Sequence, residues 1–306
     1  MTSSDMGRGS TLPTSNPPQY TPFNVVVTGA GKGLGRAISL AYAQSGVTGI
    51  CISSRTQSDL DSLEQEMLAI APQLDVFSRI CDTSDPSAVS ALSIACAEHF
   101  EDQIDVVVAN AGIISKYLDD DSPTDRRLPK GIIEDDDFLR VTSINYLGSY
   151  YTAKYFTPLL LKRKIPGDSS DADLVRAFVV ITSLAGHVPQ SAATPVAYNV
   201  SKLANNRMVE CMANDHGKEG LLAYAVHPGE VVTPQTLRHS VKKGDMWDTM
   251  LQTDVGLCGG FLTWLTRSRR EWLSGRYLSV HWDVDELEKK RDEIVEGDKL
   301  KFRMVT

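Results

Sequence analysis

The chain has 306 residues, of which 42% are hydrophobic and 23% are charged, as in an ordinary globular protein. Its net charge of −8 argues against nucleic acid and anionic membranes as partners. No apolar run approaches the roughly 18 residues of a membrane span. The five cysteines are scattered and lack the C-x-x-C spacing of a zinc site. We therefore expect a cytoplasmic protein with buried thiols and no metal.

The first segment, residues 1–22, is rich in Ser, Thr, Pro and Gly. It lacks the apolar core of a signal peptide and the arginines of a transit peptide, so we expect a flexible arm. From residue 23 onward, strand-like and helix-like segments alternate without a repeat or a low-complexity block. This alternation predicts one α/β domain with a doubly wound parallel sheet that is covered by helices on both faces.

A glycine-rich turn follows the first apolar strand, residues 25–27, and leads into a helix. Gly29, Gly33 and Gly35 give the spacing G-x-x-x-G-x-G rather than the commoner G-x-G-x-x-G. Glycines let the backbone approach a pyrophosphate, and the helix N-terminus offers unpaired N–H groups to it. A purely structural turn is the alternative, but three glycines weaken a strand and a helix without improving their packing.

The second strand, residues 49–53, ends at Ser54 and Arg55. An acidic residue at this point usually binds the ribose 2′-hydroxyl of NAD, and none is present. Arg55 can instead pair with a 2′-phosphate, and Lys32 in the glycine turn can assist it. The alternative is that both are solvated surface cations. The pattern favours NADP over NAD.

Polar residues also follow the later predicted strands, at Asp82, Asn110 and Ser183. In an open α/β sheet, ligands bind beyond the carboxyl ends of the strands. We therefore expect these residues to converge with the glycine turn on one crevice. The strands concerned are predicted over residues 76–81, 104–108 and 177–181.

The acidic run 134–137 predicts the start of a long helix, because negative charge is favoured at a helix N-terminus. A metal site is the alternative interpretation of such a run. The helix is expected to carry Asn145 beside its apolar stripe and to be kinked or ended by Pro158. An earlier helix, residues 58–70, is predicted with Ser58 as its N-cap.

Tyr198 and Lys202 lie four residues apart in a predicted helix, residues 197–214, and so share one face. A free tyrosine has a pKa near 10 and is a poor acid–base group at neutral pH. A cation one turn away stabilises the phenolate and lowers that pKa. The Ser183 hydroxyl can hold a carbonyl oxygen while Tyr198 delivers a proton. A partly buried tyrosine beside a snorkelling lysine is the alternative, but the glycine turn and the strand-end residues favour a catalytic site.

At this point the chain resembles the short-chain dehydrogenases/reductases over about residues 23–282. The resemblance implies a single Rossmann-type domain with a seven-stranded parallel sheet. It also implies hydride transfer at the nicotinamide C4 and a small-molecule carbonyl or alcohol substrate. The motifs that carry it are Thr28-Gly29-x-x-x-Gly33-x-Gly35, Asp82, Asn110-Ala111-Gly112, Asn145, Ser183, Tyr198-x-x-x-Lys202 and His227-Pro228-Gly229 with Thr233.

Residue roles follow from this resemblance. Tyr198 is the acid–base group, Lys202 holds the nicotinamide ribose hydroxyls, and Ser183 orients the substrate. Asn145 holds a water in a proton relay to Lys202, and Asp82 contacts the adenine ring. The implied cofactor-binding set is Gly29, Lys32, Gly33, Leu34, Gly35, Ser54, Arg55, Asp82, Thr83, Asn110, Ala111, Gly112, Tyr198, Lys202, Pro228, Gly229, Val232 and Thr233, the last two at the nicotinamide carboxamide.

The resemblance covers most of the C-terminal half, although residues 283–306 lie outside it. Residues 233–256 correspond to a mobile substrate lid, and their apolar content indicates a bulky or apolar substrate, with ordinary helix packing as the alternative. Residues 283–306 are expected to form a helical tail. His187 is either a substrate contact or an exposed loop histidine. The helices over residues 134–162 and 197–214 pair relatives into homodimers or homotetramers.

We therefore expect an NADP(H)-dependent oxidoreductase that interconverts a ketone and a secondary alcohol, with carbonyl reduction favoured. Two alternatives remain open. One is an epimerase or dehydratase that uses the same scaffold with bound NADP. The other is a cofactor-binding regulator without turnover, against which the intact set of Asn145, Ser183, Tyr198 and Lys202 argues.

Overall fold

A parallel sheet of seven strands runs through the centre of the structure, a computed structural model that describes residues 18–119, 126–164, 173–189, 194–238 and 250–304. The strands are β1 (Asn24–Thr28), β2 (Gly49–Ser54), β3 (Asp75–Ile80), β4 (Val106–Ala109), β5 (Leu118–Asp119), β6 (Arg126–Arg127), β7 (Ala177–Ile181), β8 (Leu222–His227) and β9 (Arg276–Ser279). The sheet order is β3-β2-β1-β4-β7-β8-β9, while β5 and β6 form a separate antiparallel pair. The order reverses between β1 and β4, which is where a crevice for a ligand opens in folds of this kind.

Helices cover both faces of the sheet. They are α1 (Gly33–Gln44), α2 (Gln57–Ile70), α3 (Pro86–His99), α4 (Gly131–Glu134), α5 (Phe138–Thr142), α6 (Gly148–Lys162), α7 (Val196–His216), α8 (Val255–Thr266), α9 (Val284–Lys289) and α10 (Arg291–Glu296). The helices α1, α2 and α8 pack on one face, and α3, α6 and α7 pack on the other. Among the described residues, no helix has the length and apolar character needed to span a membrane.

Two hydrophobic clusters lie on opposite sides of the sheet. Alternate residues of β1 belong to different clusters, with Val25 and Val27 in one and Val26 in the other. All three are fully buried, as expected for a strand that is covered on both sides. The predicted Rossmann-type α/β fold with a doubly wound parallel sheet is confirmed.

The segment before α6 differs from its prediction. Glu134 ends the short helix α4 instead of opening a long one, and a non-helical stretch separates it from α5. The chain then passes through a π-helical turn, Ser143–Leu147, into α6. The helix α6 continues through Pro158 to Lys162, so this proline does not end it. The predicted start failed because tertiary contacts, described below, use the acidic side chains.

Smaller differences concern the helix α2 and the ends of the chain. The N-cap of α2 is Thr56 and makes no side-chain cap hydrogen bond, so the prediction of Ser58 is wrong. Residues 1–17 of the expected arm lie outside the described residues, and Tyr20 donates a hydrogen bond of 2.9 Å to Asp105 Oδ1. The tail contains α9 and α10, and its Leu287 and Ile294 are buried in the first cluster. Four of the five cysteines are buried, whereas Cys211 is exposed.

Candidate active site

The glycine turn after β1 has a backbone that strongly favours glycine. Gly29 and Gly33 have φ angles of 65° and 57°, in the left-handed region. A Cβ built on Gly35 would lie 2.3 Å from the Gly29 carbonyl oxygen. The Asn110 amide holds the turn, since its Nδ2 donates to the carbonyl oxygens of Thr28 at 3.0 Å and Gly29 at 3.1 Å. Asn110 therefore holds the backbone of the glycine turn in place.

The N-terminus of α1, which directly follows this turn, has no capping side chain among the described residues. Its N-cap, Lys32, makes no side-chain cap hydrogen bond, and its first turn, which includes Leu34, contains no acidic residue. The first N–H groups of a helix require an acceptor, and an anion supplies one. A Cβ on Gly33 would lie 3.4 Å from the Cβ of Thr233, so the segment after β8 reaches the same turn. The residues present fit the pyrophosphate of a dinucleotide.

An acidic residue does lie near the predicted 2′-phosphate site, although not at the end of β2. Lys32 Nζ forms an ion pair of 3.1 Å with Asp59 Oδ2, in the first turn of α2. A Cβ on Gly31 would lie 2.9 Å from Asp59 Cβ and 3.0 Å from Ser54 Oγ. Asp59 was not predicted, because it lies beyond the end of β2; the available sequence signal is an acidic residue in the first turn of the next helix.

Asp82 and Arg55 lie within electrostatic range of one another. Asp82 Oδ1 accepts hydrogen bonds from the Ser84 N–H at 3.0 Å and from the Ser84 hydroxyl at 2.7 Å. Burial raises the pKa of Asp82, but the Ser84 hydrogen bonds and the Arg55 guanidinium together lower it below its ordinary value. The neighbouring Thr83 packs against α6, since a Cβ on Gly148 would lie 2.9 Å from Thr83 Oγ1. Two cations and two carboxylates thus surround this end of the crevice.

The predicted catalytic side chains come together beyond β7. Ser183 lies close enough to Tyr198 to lower the pKa of the Tyr198 phenol, and Ser183 Oγ accepts from the Ala185 N–H at 3.1 Å. Lys202 Nζ donates to the Ile181 carbonyl oxygen at 2.8 Å and lies 5.5 Å from the centroid of the Tyr198 ring. A carbonyl group bound here can meet two hydroxyl groups at once.

The expected lowering of the Tyr198 pKa is wrong for this structure. Burial raises the pKa of Tyr198 above its ordinary value, and the neighbouring Ser183 side chain offsets only part of this effect. Burial also lowers the pKa of Lys202 to about 8. The ammonium of Lys202 is directed to the Ile181 carbonyl oxygen, so in this arrangement it does not overcome the desolvation of the phenol.

Asn145 is fully buried in the π-helical turn. Its Oδ1 accepts from the Ile113 N–H at 2.8 Å, and its Nδ2 donates to the Ile113 carbonyl oxygen at 2.9 Å and to Ser201 Oγ at 3.1 Å. A Cβ on Gly112 would lie 3.4 Å from Asn145 Oδ1 and 3.5 Å from Lys202 Nζ. Asn145 therefore joins the segment after β4 to α7 beside Lys202, and its implied water relay remains a prediction.

A group of imidazole and carboxylate side chains beyond β8 escaped the sequence analysis. His227 Nε2 lies 3.2 Å from Glu230 Oε1, and His281 Nε2 lies 3.6 Å from Glu230 Oε2 and 2.8 Å from Thr253 Oγ1. These groups are close enough to hold a cation. However, the Leu184 N–H donates to His227 Nδ1 at 3.2 Å, which puts the hydrogen of the neutral imidazole on Nε2. Hydrogen bonding thus accounts for the cluster, and we still expect no metal.

The remaining predicted residues frame the opening of the site. Val232 is 48% exposed, and Leu237 is 63% exposed. A Cβ on Gly229, after Pro228, would lie 2.5 Å from Thr253 Cγ2. Residues 239–249 of the expected lid lie outside the described residues.

His187 belongs to a short 3₁₀ turn after Ser183. Its ring stacks on Phe302 of the tail with centroids 4.5 Å apart and meets Tyr277 edge-on at 4.1 Å. It is exposed at the surface except where it packs on Tyr277 and Phe302, and this partial burial lowers its pKa. Its packing on the tail gives it a structural partner, and contact with a substrate remains a prediction.

The sequence matches a known protein family, and the fold matches solved structures. The profile of the short chain dehydrogenase family matches residues 24–243. The short chain dehydrogenase pgmD of Aspergillus terreus is 37% identical over 291 residues, which cover 92% of this chain and 86% of that protein. The short chain dehydrogenase citE of Monascus ruber is 32% identical over 288 residues, covering 92% and 88%.

Solved structures share the fold at low sequence identity. An actinorhodin polyketide ketoreductase with NADPH superposes with a TM-score of 0.68 at 20% identity, covering 84% of this chain and 95% of that one. A 3-oxoacyl-[acyl-carrier protein] reductase from Brucella melitensis with bound NAD gives a TM-score of 0.66 at 22% identity, covering 87% and 92%.

Proposed function

The chain belongs to the short-chain dehydrogenase/reductase family, and on that premise we propose that it is an NADP(H)-dependent carbonyl reductase. The observation that carries this proposal is the proximity of Ser183, Tyr198 and Lys202 to one another, with Lys202 beside Gly112, in the segment whose Asn110 holds the glycine turn. The reaction interconverts a ketone and a secondary alcohol.

The proposed roles follow from the donors at the site. Ser183 holds the carbonyl oxygen of the substrate, and the Tyr198 phenol delivers a proton to that oxygen. The raised pKa of Tyr198 keeps the phenol protonated at neutral pH, as a proton donor requires. Lys202 positions the nicotinamide ribose, and the bound cofactor supplies a hydride from its nicotinamide ring.

The choice of NADP rests on the cations at the adenine end. Lys32 and Arg55 can both pair with a 2′-phosphate, which carries more charge than a hydroxyl. Asp59 opposes this by holding Lys32 in an ion pair. We propose that Lys32 exchanges its ion pair with Asp59 for one with the 2′-phosphate. Arg55 pairs with the same phosphate while it stays beside Asp82, so the phosphate has two cationic partners.

We propose a bulky or apolar substrate. Exposed apolar side chains lie in the chain segments that follow Ser183 and flank Thr233, namely Leu184, Val188, Val232 and Leu237. Burial of such surface against a ligand stabilises the complex by roughly 25 cal/mol per Å².

Two exposed apolar residues of α7, Val200 and Leu203, support our proposal of a homodimer or homotetramer that forms through this helix. Elution as a monomer in gel filtration would contradict the oligomer.

The test of the activity is NADPH oxidation, followed at 340 nm, against a panel of aliphatic, aromatic and polycyclic ketones. We expect turnover with bulky apolar members and much less with small polar ones. The proposal is contradicted if the protein binds NADPH but oxidises it with no ketone of the panel, and reduces NADP⁺ with none of the corresponding alcohols. That result would favour an epimerase, a dehydratase or a regulator.

The test of cofactor choice is Arg55→Ala. We expect KM for NADPH to rise about tenfold or more, and KM for NADH to change little, because only NADPH carries the 2′-phosphate. Arg36→Ala is the matched control, since Arg36 pairs with Glu66 on the neighbouring helix. Equal effects of Arg55→Ala on both cofactors would remove Arg55 from phosphate recognition.

A further inference from the structure

The helix α7, which carries Tyr198 and Lys202, begins without a capping side chain of its own. Its N-cap is Pro195, which makes no side-chain cap hydrogen bond, and its first turn contains no acidic residue. The first N–H groups of a helix need acceptors from elsewhere. The Ala197 N–H finds one in Asp135 Oδ2, at 2.7 Å, and this bond is buried. Ala197 directly precedes Tyr198 in the chain.

The second oxygen of Asp135 is also used. Asp135 Oδ1 accepts from the Ser115 hydroxyl at 2.9 Å, again in a buried position. Asp135 is only 8% exposed. A buried carboxylate is costly unless hydrogen bonds satisfy it, and charge-assisted bonds of this kind are the stronger ones. One carboxylate therefore links the segment after β4, the connection between α4 and α5, and the first turn of α7.

We propose that Asp135 is a positioning residue for the reaction. It holds the first turn of α7 so that the Tyr198 phenol keeps its position beside the Ser183 hydroxyl. This inference rests on the proposed function. The Asp135 carboxylate does not touch Tyr198 or the reacting atoms, and it acts through the backbone of Ala197. Its loss frees the first turn of α7, while the glycine turn after β1 and the N-terminus of α1 keep their contacts.

Asp137 provides a matched control two residues away. Its Oδ2 accepts from the Lys116 N–H at 2.9 Å, so it also joins the α4–α5 connection to the segment after β4. Its other partner is Arg140, in α5. Both aspartates thus hold the same segment, and of the two only Asp135 bonds to the backbone of α7.

The experiment compares Asp135→Ala, Asp135→Asn and Asp137→Ala in the full chain, with NADPH and a ketone that the wild-type enzyme reduces. We expect kcat of Asp135→Ala to fall about 100-fold, the effect of a misplacement near 1 Å, with KM for NADPH within about twofold. Asp135→Asn should recover most of the activity because an amide oxygen can still accept from the Ala197 N–H. Asp137→Ala should stay near wild type. Equal kcat for the two alanine variants would overturn the inference.

A second measurement does not depend on turnover. Hydrogen exchange of a peptide covering residues 194–202, in the cofactor-free protein, should quicken in Asp135→Ala and stay unchanged in Asp137→Ala. Unchanged exchange in both would overturn the inference, even if the wild type reduces no ketone and the proposed function fails. If Asp135→Ala does not fold, the same exchange comparison is made with Asp135→Asn and Ser115→Ala. Faster exchange in Ser115→Ala than in Asp135→Asn then supports the inference, and equal exchange in the two contradicts it.

Discussion

At the scale of single residues, the environment of Tyr198 and Lys202 depends on burial more than on their separation along the helix. The spacing of four residues places them on one face, and the structure confirms that they lie together. Burial raises the pKa of Tyr198 and lowers that of Lys202, in each case favouring the neutral form. Sequence spacing predicts neighbours but not the solvent exposure that controls their protonation.

Lys202 makes folding stability depend on pH. Its pKa falls from 10.5 to about 8 in the folded chain. Between these two values the unfolded chain binds more protons, so this residue increases the free energy of unfolding as the pH rises and its contribution is lost as the pH falls through about 8. The free energy of unfolding of wild type, minus that of Lys202→Met, should therefore rise by about 2–3 kcal/mol from pH 7 to pH 10.

Urea unfolding of both proteins at the two pH values measures this difference. Lys154→Met serves as a control because Lys154 is exposed on α6. If the free energy of unfolding changes with pH by the same amount in wild type and in Lys202→Met, the lysine is not desolvated in the folded chain.

At the scale of elements, the glycine turn was predictable because its requirement is local. Backbone angles and a close approach between neighbouring residues fix where glycine must occur. The acidic run 134–137 was misassigned for the opposite reason. Its carboxylates accept hydrogen bonds from Lys116 and Ala197, at sequence distances that no local rule reaches. The same limit hid Asp59, whose partner Lys32 lies in the glycine turn, 27 residues earlier in the chain.

The turn can be tested by Gly35→Ala. The added methyl group would lie 2.3 Å from the Gly29 carbonyl oxygen, a contact that the backbone must shift to relieve. We expect a loss of about 1–3 kcal/mol in stability and at least tenfold weaker NADPH binding, measured by thermal unfolding and fluorescence titration. Gly217→Ala is the control, since a Cβ there meets nothing within 4 Å. Wild-type NADPH affinity in Gly35→Ala would show that the turn does not approach the cofactor.

At the scale of the whole molecule, the fold class follows from the alternating segments, whereas the contacts between the N-terminal segment and the end of α6 do not. Arg163, at the end of α6, is fully buried and pairs with Asp105 at 2.7 Å. The Arg163 guanidinium also donates to the Pro22 carbonyl oxygen at 2.7 Å, and Tyr20 donates to the same carboxylate. Such a buried partner cannot be predicted from the charge of an arginine alone.

Removal of Arg163 should therefore destabilise the fold strongly. Arg163→Leu leaves Asp105 buried without its cation, and we expect a loss of about 3–5 kcal/mol in the free energy of unfolding. Lys289→Met, which breaks an exposed pair with Glu286, should change stability little. Denaturant unfolding compares them, and similar midpoints for the two variants would contradict the buried pair.

The most direct measurement of the central claim is turnover by Tyr198→Phe, which removes one hydroxyl and keeps the ring. We predict that its kcat for ketone reduction falls by at least 100-fold, in line with the loss of a positioned proton donor. NADPH affinity, measured by fluorescence titration, should stay within about threefold of wild type. Wild-type turnover in Tyr198→Phe would contradict the account.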